Sequence, residues 1–238
     1  MVRFPAILGK RIIMKTCVII PTLNESREIA NLVSHARRFI PDILVIDDGS
    51  TDQTAQIAKA SGAEVLRNER NQGKGACLVK GYAYALEKGF DAVISMDGDG
   101  QHSPEDLPVF LKAAEDPENS LIIGNRMSDA RNMPFVRILT NRLMSWFLSL
   151  VTRQNIPDTQ CGFRLVKREL LEKVNLVTSK YEMESEMLIK ASRRGFKIKS
   201  VLVKTIYGDQ KSQINPLVDT FRFVRLMIRD FLKRIKHA

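Results

Sequence analysis

The chain has 238 residues, 44% of them hydrophobic, which is enough to bury one substantial core. Its formal net charge of +10 indicates an anionic partner, such as nucleotide phosphates, nucleic acid or an acidic membrane surface. No apolar run approaches the ~20 residues that a membrane-spanning helix needs. The three cysteines have no metal-ligand spacing, which favours reduced, buried thiols in a cytosolic protein.

Strands alternate with helices after a short N-terminal extension, which we place at 1–13. Four apolar runs predict strands, at 15–22, 42–48, 63–68 and 91–97. Three helical patterns lie between or after them, at 29–39, 52–61 and 75–88. Continuous apolar strands separated by helices indicate parallel βαβ units with both sheet faces covered. The predicted fold class is therefore α/β, with a mostly parallel sheet flanked by helices.

Polar segments follow three of the predicted strands, at 21–25, 47–50 and 97–99. Ligands in such sheets bind beyond the carboxyl ends of the strands. We therefore expect the three segments to form one site.

The third segment places two carboxylates, Asp97 and Asp99, one residue apart among glycines. Their repulsion is costly unless a cation lies between them. An EF-hand loop is excluded, because its sixth and twelfth positions hold His102 and Pro108. A dinucleotide fingerprint would need a glycine at Ser103, and the stretch "NQGKGA" lacks the spacing of a P-loop. An open Mg²⁺ or Mn²⁺ site with few protein ligands, completed by substrate phosphates, fits these observations.

Six motifs occur in order along the chain: "VIIPTLNE", "VIDDGSTD", "NQGKGA", "DGDGQH", "IGNRM" and "CGFRL". Together they resemble the family 2 inverting glycosyltransferases with the GT-A fold, and among them the polyprenyl-phosphate sugar transferases such as dolichol-phosphate mannose synthase. The resemblance implies a catalytic domain over 14–212 and a GDP- or UDP-linked sugar donor. It also implies transfer with inversion to a polyprenyl or dolichyl phosphate, at the cytoplasmic face of a membrane.

The resemblance assigns most of the motif residues to the donor. A nucleoside pocket would be lined by Pro21, Leu23, Glu25, Ile46 and Asp48. Because Asp48 can accept a hydrogen bond from a base N–H, uracil or guanine is favoured. Contacts near the diphosphate are implied for Gly98, Gln101, Arg126 and Lys211. Asp97 and Asp99 would hold Mg²⁺ or Mn²⁺ against the diphosphate, whereas we interpret Asp47 as a residue that caps a turn.

Other residues are implied at the acceptor. Asp158 would face the reaction centre, and Arg137, four residues before Asn141 on a predicted helix, would contact the acceptor phosphate. A lipid phosphate is already ionised near neutral pH, so no general base is expected. We interpret His102 as a turn residue, and Glu184 and Glu186 as helix charges for which a direct role is the less favoured alternative.

The last segment, 213–238, predicts an amphipathic basic helix. Apolar and basic residues both recur in it at helical spacing. Such a helix can lie in the headgroup region of an anionic leaflet. The segment 143–151, which carries the only tryptophan, offers a second contact. The alternative is that 213–238 docks on the core of the protein or on a second subunit.

Three other functions are weighed against lipid glycosylation. A nucleic-acid-binding protein would suit the charge, yet no helix-turn-helix, RRM or KH signature is present, so no nucleic-acid partner is expected. A nucleotidyltransferase normally carries a Gly- and Arg-rich loop after its first strand, which "PTLNES" is not. A family 2 enzyme with a saccharide acceptor in cell-envelope polysaccharide synthesis stays open.

Overall fold

The structure is a computed structural model that describes residues 14–129, 133–177, 182–204 and 206. The predicted extension 1–13, Lys211 and the predicted helix 213–238 lie outside the described residues.

Within these ranges the strands form a single sheet, whose central members are apolar and buried while β3 and β7 at its edges are partly exposed. The strands are β1 (Thr16–Thr22), β2 (Asp42–Asp47), β3 (Glu64–Arg67), β4 (Ala92–Ser95), β5 (Asn119–Asn125), β6 (Arg164–Lys167) and β7 (Lys197–Leu202). Their order across the sheet is β3-β2-β1-β4-β6-β5-β7. The first four match the four predicted strands.

Helices cover the sheet. They are α1 (Ile29–Ala36), α2 (Thr54–Ala60), α3 (Lys74–Glu87), α4 (Leu107–Ala114), α5 (Phe135–Thr152), α6 (Arg168–Lys173) and α7 (Glu182–Arg193). The first three match the predicted helices to within three residues at either end. Every residue of β1 is buried, as expected for a central strand covered on both faces.

The sheet is mostly parallel, as predicted. β1 pairs in parallel with β2 and β4, β2 with β3, and β5 with β7. β6 lies antiparallel between β4 and β5, a strand that was not predicted. In the β1–β2 register Thr22 lies opposite Asp47, so both strands end at the same edge.

The core fills the space between the sheet and its helices. Helix α3 packs closely on β1 at Gly81. A Cβ atom at this position would come within 2.7 Å of the Cγ2 atom of Ile19, so glycine is what allows the close approach. Cys17, Cys77 and Cys161 are all buried and free, which confirms the prediction of reduced structural thiols.

Candidate active site

The loops that follow β1, β2 and β4 meet at one edge of the sheet. The backbone N–H of Asp48 donates to the carbonyl of Thr22 at 2.9 Å, and the side-chain oxygen of Asn24 accepts from the N–H of Thr51 at 2.9 Å. A Cβ atom at Gly98 would come within 2.7 Å of the Cγ2 atom of Thr22, so glycine is what allows the loop after β4 to pack against the end of β1. The predicted convergence of the three polar segments is confirmed.

The two aspartates after β2 organise neighbouring loops. Asp48 is buried, and its Oδ1 atom accepts hydrogen bonds from the Nδ2 atom of Asn68 and the N–H of Gln72, both at 2.9 Å. Its Oδ2 atom accepts from the N–H of Gly73 at 2.8 Å, which fixes the entry into α3. Contact between Asp48 and a base stays a prediction.

Asp47 accepts a hydrogen bond from the N–H of Ser50 at 3.0 Å, which confirms the turn-capping role predicted for it.

A lysine supplies the cation nearest to Asp97. Lys74, the first residue of α3, places its Nζ atom 2.6 Å from Oδ1 of Asp97 and 2.9 Å from Oε1 of Glu184. A Cβ atom at Gly162 would lie 2.6 Å from this nitrogen and 2.8 Å from both carboxylate oxygens of Asp97, so glycine leaves the space that the ion pair occupies. Lys74 stands in the "NQGKGA" motif, but nothing in its spacing indicated this partner.

The charges around Asp97 keep it ionised. Burial alone would raise the pKa of Asp97, but the Lys74 ammonium, with His102 and Arg126, outweighs burial and lowers it to about 2. The pKa of Asp99 is raised instead, first by burial and then by the negative charge of Asp97. The ionised form of Asp99 is therefore less well compensated than that of Asp97.

His102 is part of this loop rather than the turn residue that we expected. It is buried and stacks on Phe163, with ring centroids 5.1 Å apart. The N–H of Asp97 donates to its Nδ1 atom at 3.1 Å, so that nitrogen carries no proton. Burial is the main reason that the pKa of His102 is lowered.

The donor set at Asp97 and Asp99 fits a hard divalent cation. Carboxylate oxygens are the ligands that Mg²⁺ and Mn²⁺ prefer, and a cation would relieve the repulsion that raises the pKa of Asp99. Within the described ranges, no three His, Cys, Asp or Glu side chains converge to hold a metal by themselves. Such a cation would take its remaining ligands from water or substrate phosphates.

A second cluster lies after β5, where Arg126 and Asp158 form a buried pair. Oδ2 of Asp158 accepts hydrogen bonds from the backbone N–H and the Nε atom of Arg126, at 3.0 and 2.8 Å. Oδ1 accepts from the Nη2 atom of Arg126 at 3.0 Å and from the Nδ2 atom of Asn141 at 2.8 Å. Both carboxylate oxygens are therefore engaged. Asp158 therefore holds the guanidinium of Arg126 in place, and its predicted position at the reaction centre stays a prediction.

The loop that carries Asp158 is tied to α7. The guanidinium of Arg164 is buried and donates to the carbonyls of Thr159, Cys161 and Glu184 at 2.7 to 2.8 Å. Glu184 therefore belongs to the site through both Lys74 and Arg164, contrary to its interpretation as a helix charge.

Glu186 is buried, and its described contacts are with residues near the start of α7 and on that helix. Its carboxylate accepts from the N–H of Val177 and lies 2.6 Å from the Nζ atom of Lys190. These contacts stabilise the start of α7.

The remaining residues that were predicted to bind the nucleotide-sugar donor differ in how deeply they are buried. Pro21 is buried, and Leu23 and Glu25 are half-buried at the edge of the sheet. Burial, followed by the charge of Asp99, raises the pKa of Glu25 to about 7. Ile46 is wholly inside the core, so direct contact with a nucleoside, which the resemblance implied, does not agree with its position.

The chain after β7 returns to the loop that carries Asp97 and Asp99. Gln101 donates its N–H to Oδ1 of Asp99 at 3.0 Å, and its carbonyl accepts from the N–H of Ile206 at 3.0 Å. Lys211 lies outside the described residues, so its contact with phosphate stays a prediction.

Arg137 is half-buried on α5, one turn before Asn141. Asn141 on the same helix donates to Asp158, while contact between Arg137 and an acceptor phosphate stays a prediction.

A mostly parallel sheet with two carboxylates at its carboxyl edge is the architecture of GT-A glycosyltransferases. The family described as "Glycosyl transferase family 2" matches residues 17–174, more than half of the chain. The chain belongs to this family, and the protein is a glycosyltransferase.

Characterised proteins from several organisms are similar to it. An undecaprenyl-phosphate mannosyltransferase of Micrococcus luteus is 34% identical over 203 residues, which cover 79% of this chain and 82% of that one. A UDP-N-acetylglucosamine–dolichyl-phosphate N-acetylglucosaminyltransferase of Methanococcus voltae is 29% identical over 215 residues, covering 81% and 86%.

Among solved structures, the fold is similar to that of glucosyl-3-phosphoglycerate synthase from Mycobacterium tuberculosis in complex with Mn²⁺, uridine diphosphate and glucosyl-3-phosphoglycerate. The TM-score is 0.71 at 21% identity, over 93% of this chain and 80% of that chain.

The buried ion pair gives a testable prediction for stability. Asp158→Asn keeps the size of the side chain but removes the charge that compensates Arg126. Breaking a buried pair in this way costs about 3–5 kcal/mol, so urea unfolding should show a loss of that order at neutral pH. Glu118→Gln removes the partner of Lys197 in an exposed pair and should change stability little.

The same pair predicts a pH dependence. Burial would raise the pKa of Asp158, but Arg126 holds it below its ordinary value. A depressed folded pKa contributes stability above the unfolded pKa of about 4, and that stability is lost as the pH falls through the folded pKa. The gap between wild type and Asp158→Asn should therefore narrow below about pH 4. A gap that stays constant from pH 7 to pH 3 would contradict this account.

Proposed function

We propose that the protein transfers a sugar from a GDP- or UDP-linked donor to a polyprenyl or dolichyl phosphate, with inversion and with Mg²⁺ or Mn²⁺. The observation that carries this proposal is that a single loop joins two charged clusters. At one end of the loop Asp158 holds Arg126, and at the other Gly162 abuts Lys74 and Asp97. Donor and acceptor phosphates could therefore be held on either side of that loop.

The donor side rests on the two carboxylates. Asp97 and Asp99 would hold the divalent cation, which when bound neutralises charge on the diphosphate leaving group. Lys74 keeps Asp97 ionised, and a carboxylate must be ionised to bind a metal. Arg126 and Lys211 would add positive charge toward the diphosphate.

The acceptor side is better suited to a phosphate than to a hydroxyl group. A sugar hydroxyl must lose its proton to attack, which requires a carboxylate or histidine as base. Asp158 has both oxygens engaged by Arg126 and Asn141, so it is poorly placed for that task. Arg137 would offer positive charge instead, which favours the lipid phosphate over the alternative saccharide acceptor.

The reaction then needs no proton transfer from the acceptor. An oxygen of the ionised lipid phosphate uses a lone pair to attack the anomeric carbon of the sugar. The bond from that carbon to the diphosphate oxygen breaks, and the nucleoside diphosphate leaves with the bonding pair. Attack from the face opposite the leaving group inverts the anomeric configuration.

An enzyme that uses a lipid acceptor would work at a membrane surface. A catalytic domain over 14–212 would lie against the cytoplasmic face of a membrane, with 213–238 as a basic helix in contact with anionic headgroups. No described helix is both long enough and apolar enough to cross a bilayer.

Metal dependence is tested by donor binding. Wild type, screened with UDP- and GDP-sugars in a thermal-shift assay, should be stabilised by one of the two classes in Mn²⁺, since a ligand at 100 times its Kd adds about 2.7 kcal/mol. Asp99→Asn should fold but lose the metal-dependent part of this shift. Glu105→Gln, an exposed acid six residues later, makes the same charge change and should keep the full shift. A full shift in excess EDTA would reject the metal site.

Two arginine substitutions on helix α5 test whether the acceptor is a lipid phosphate. Arg137→Ala should lower transfer to polyprenyl phosphate by about tenfold to a hundredfold, because a hydrogen bond to a charged group is worth about 1.5–3 kcal/mol. Arg142→Ala removes an exposed arginine from the same helix and should leave the rate near that of wild type. If both variants lowered the rate equally, the loss of positive charge anywhere on α5 would explain the effect, and a specific contact between Arg137 and the phosphate would be rejected. Transfer to saccharides alone would reject the lipid phosphate but not the family.

A further inference from the structure

The loop after β4 needs contacts beyond its own sequence to hold one shape. Between Asp97 and His102 it contains two glycines, Gly98 and Gly100, and Gly100 has a positive φ of 71°. Glycine loses more conformational freedom on folding than any other residue, so a loop of this composition is costly to hold in a single conformation. The two carboxylates that would bind the divalent cation, Asp97 and Asp99, both lie in this stretch.

The backbone N–H of Asp97 lies where the hydrogen bonding of the sheet ends. One residue earlier, the N–H of Met96 still donates to the carbonyl of Ile19 on β1 at 3.0 Å. The N–H of Asp97 donates instead to the Nδ1 atom of His102 at 3.1 Å. A side chain thus replaces the neighbouring strand as the partner of this amide, and the bond closes the loop from 97 to 102 on itself.

The imidazole that makes this bond is itself fixed by packing. His102 is only 2% exposed, and its ring stacks on Phe163 with centroids 5.1 Å apart and an angle of 22° between the planes. Phe163 in turn packs on Phe110 of α4, with centroids 4.4 Å apart. Three rings therefore lead from the loop after β4 into the core. Because Phe163 directly precedes β6, the ring of His102 is held against the end of a strand.

The hydrogen bond also determines where the neutral ring carries its proton. An amide N–H can only donate, so Nδ1 is the acceptor and the proof of the tautomer is that the proton lies on Nε2. Nε2 is 4.0 Å from Oδ2 of Asp97, whereas Oδ1 of Asp97 is 2.6 Å from the Nζ atom of Lys74. Each oxygen of this carboxylate therefore faces a nitrogen, and the backbone of Asp97 is held at the same time.

We propose that His102 is a positioning residue for the metal site, which accepts the N–H of Asp97 at Nδ1, stacks on Phe163, and so holds the Asp97 carboxylate in place for a divalent cation. The inference rests on the proposed function, which supplies the cation. Mg²⁺ demands near-ideal coordination geometry, and groups that hold a metal-binding carboxylate typically change metal affinity about tenfold to a hundredfold when they are removed. His102 itself would contact neither the cation nor the substrates.

His102 combines two properties that an ordinary core residue does not need. An aromatic ring without polar atoms would still pack on Phe163, but it would leave the N–H of Asp97 without its partner. A side-chain amide at the same position would serve the N–H but would lose the ring stack. The imidazole does both, which links the carboxylates of the loop after β4 to the loop at 156–163 that carries Asp158.

Three substitutions at this position separate the two contacts. His102→Phe keeps an aromatic ring and removes the acceptor. His102→Asn removes the ring, but its side-chain oxygen can reach the place of Nδ1. His102→Gln carries the same amide on a longer side chain, near the place of Nε2, and is therefore the matched control for His102→Asn. A second control is His35→Asn on α1, where the Nδ1 atom contacts the carbonyl of Asn31 on the same helix.

Metal affinity is the quantity to measure. Mn²⁺ binding to the full-length protein would be followed by electron paramagnetic resonance at saturating UDP or GDP, whichever stabilises the wild type. Conditions would be chosen in which urea unfolding shows each variant to be folded. His102→Phe and His102→Gln should weaken Mn²⁺ binding by about tenfold or more. His102→Asn should stay within about threefold of the wild type, because it keeps the hydrogen bond, and His35→Asn should match the wild type.

Three results would overturn this role of His102. The first is an unchanged Mn²⁺ affinity in His102→Phe. The second is an equal loss in His102→Asn and His102→Gln, which would assign the effect to ring packing alone. The third is a wild type that binds no Mn²⁺ with either nucleotide, which would also reject the metal part of the proposed function. Mn²⁺ affinities in the expected order, without any transfer to polyprenyl phosphate, would reject the proposed acceptor and support the role of His102.

Discussion

The buried pair between Arg126 and Asp158 is the interaction on which the rest of the site depends. Three of its hydrogen bonds join the end of β5 to the loop at 156–163, and a fourth, from Asn141, adds α5. A charged pair at this depth is costly to bury unless every oxygen has a partner, and here both carboxylate oxygens do. The pair thereby fixes a guanidinium, a loop and a helix in one arrangement.

The same arrangement links the two charged clusters of the site through one loop. The same loop continues to Gly162, whose missing side chain leaves room for the ion pair of Lys74 and Asp97. Arg164 then ties the loop to α7 through Glu184. The carboxylates at the end of β4 and the arginine at the end of β5 therefore both contact one shared segment, and fixed charges of this kind are the preorganisation that charge stabilisation requires.

The sequence contained enough to predict the first four of the seven described strands and the edge at which the site lies. Continuous apolar runs predicted β1 to β4, because buried parallel strands need no polar alternation. The four residues of β6 gave no such signal, since an antiparallel insertion is decided by pairing with β4 and β5. The polar segments could be assigned to one edge because parallel strands end together.

Side-chain partners were beyond the reach of sequence patterns. Lys74 and Glu184 lie 110 positions apart along the chain, and only the fold brings them to 2.9 Å. The family resemblance implied that Asp158 lies in an acceptor loop, but it could not show that both carboxylate oxygens of Asp158 accept hydrogen bonds from Arg126 and Asn141. Likewise, the segment at 143–151 was recognised as apolar, but the polar face that holds α5 in its orientation depends on contacts made by the folded loop.

The central claim is that the acceptor is a lipid phosphate, and the mass of the product tests it most directly. Purified full-length protein would be incubated with a nucleotide sugar, Mn²⁺ and a polyprenyl phosphate of known chain length. The account predicts a lipid of the acceptor mass plus one glycosyl residue, retaining a single phosphate, with the anomeric configuration of the donor inverted. A product that carries the sugar on a saccharide hydroxyl, with the polyprenyl phosphate unchanged, would contradict it.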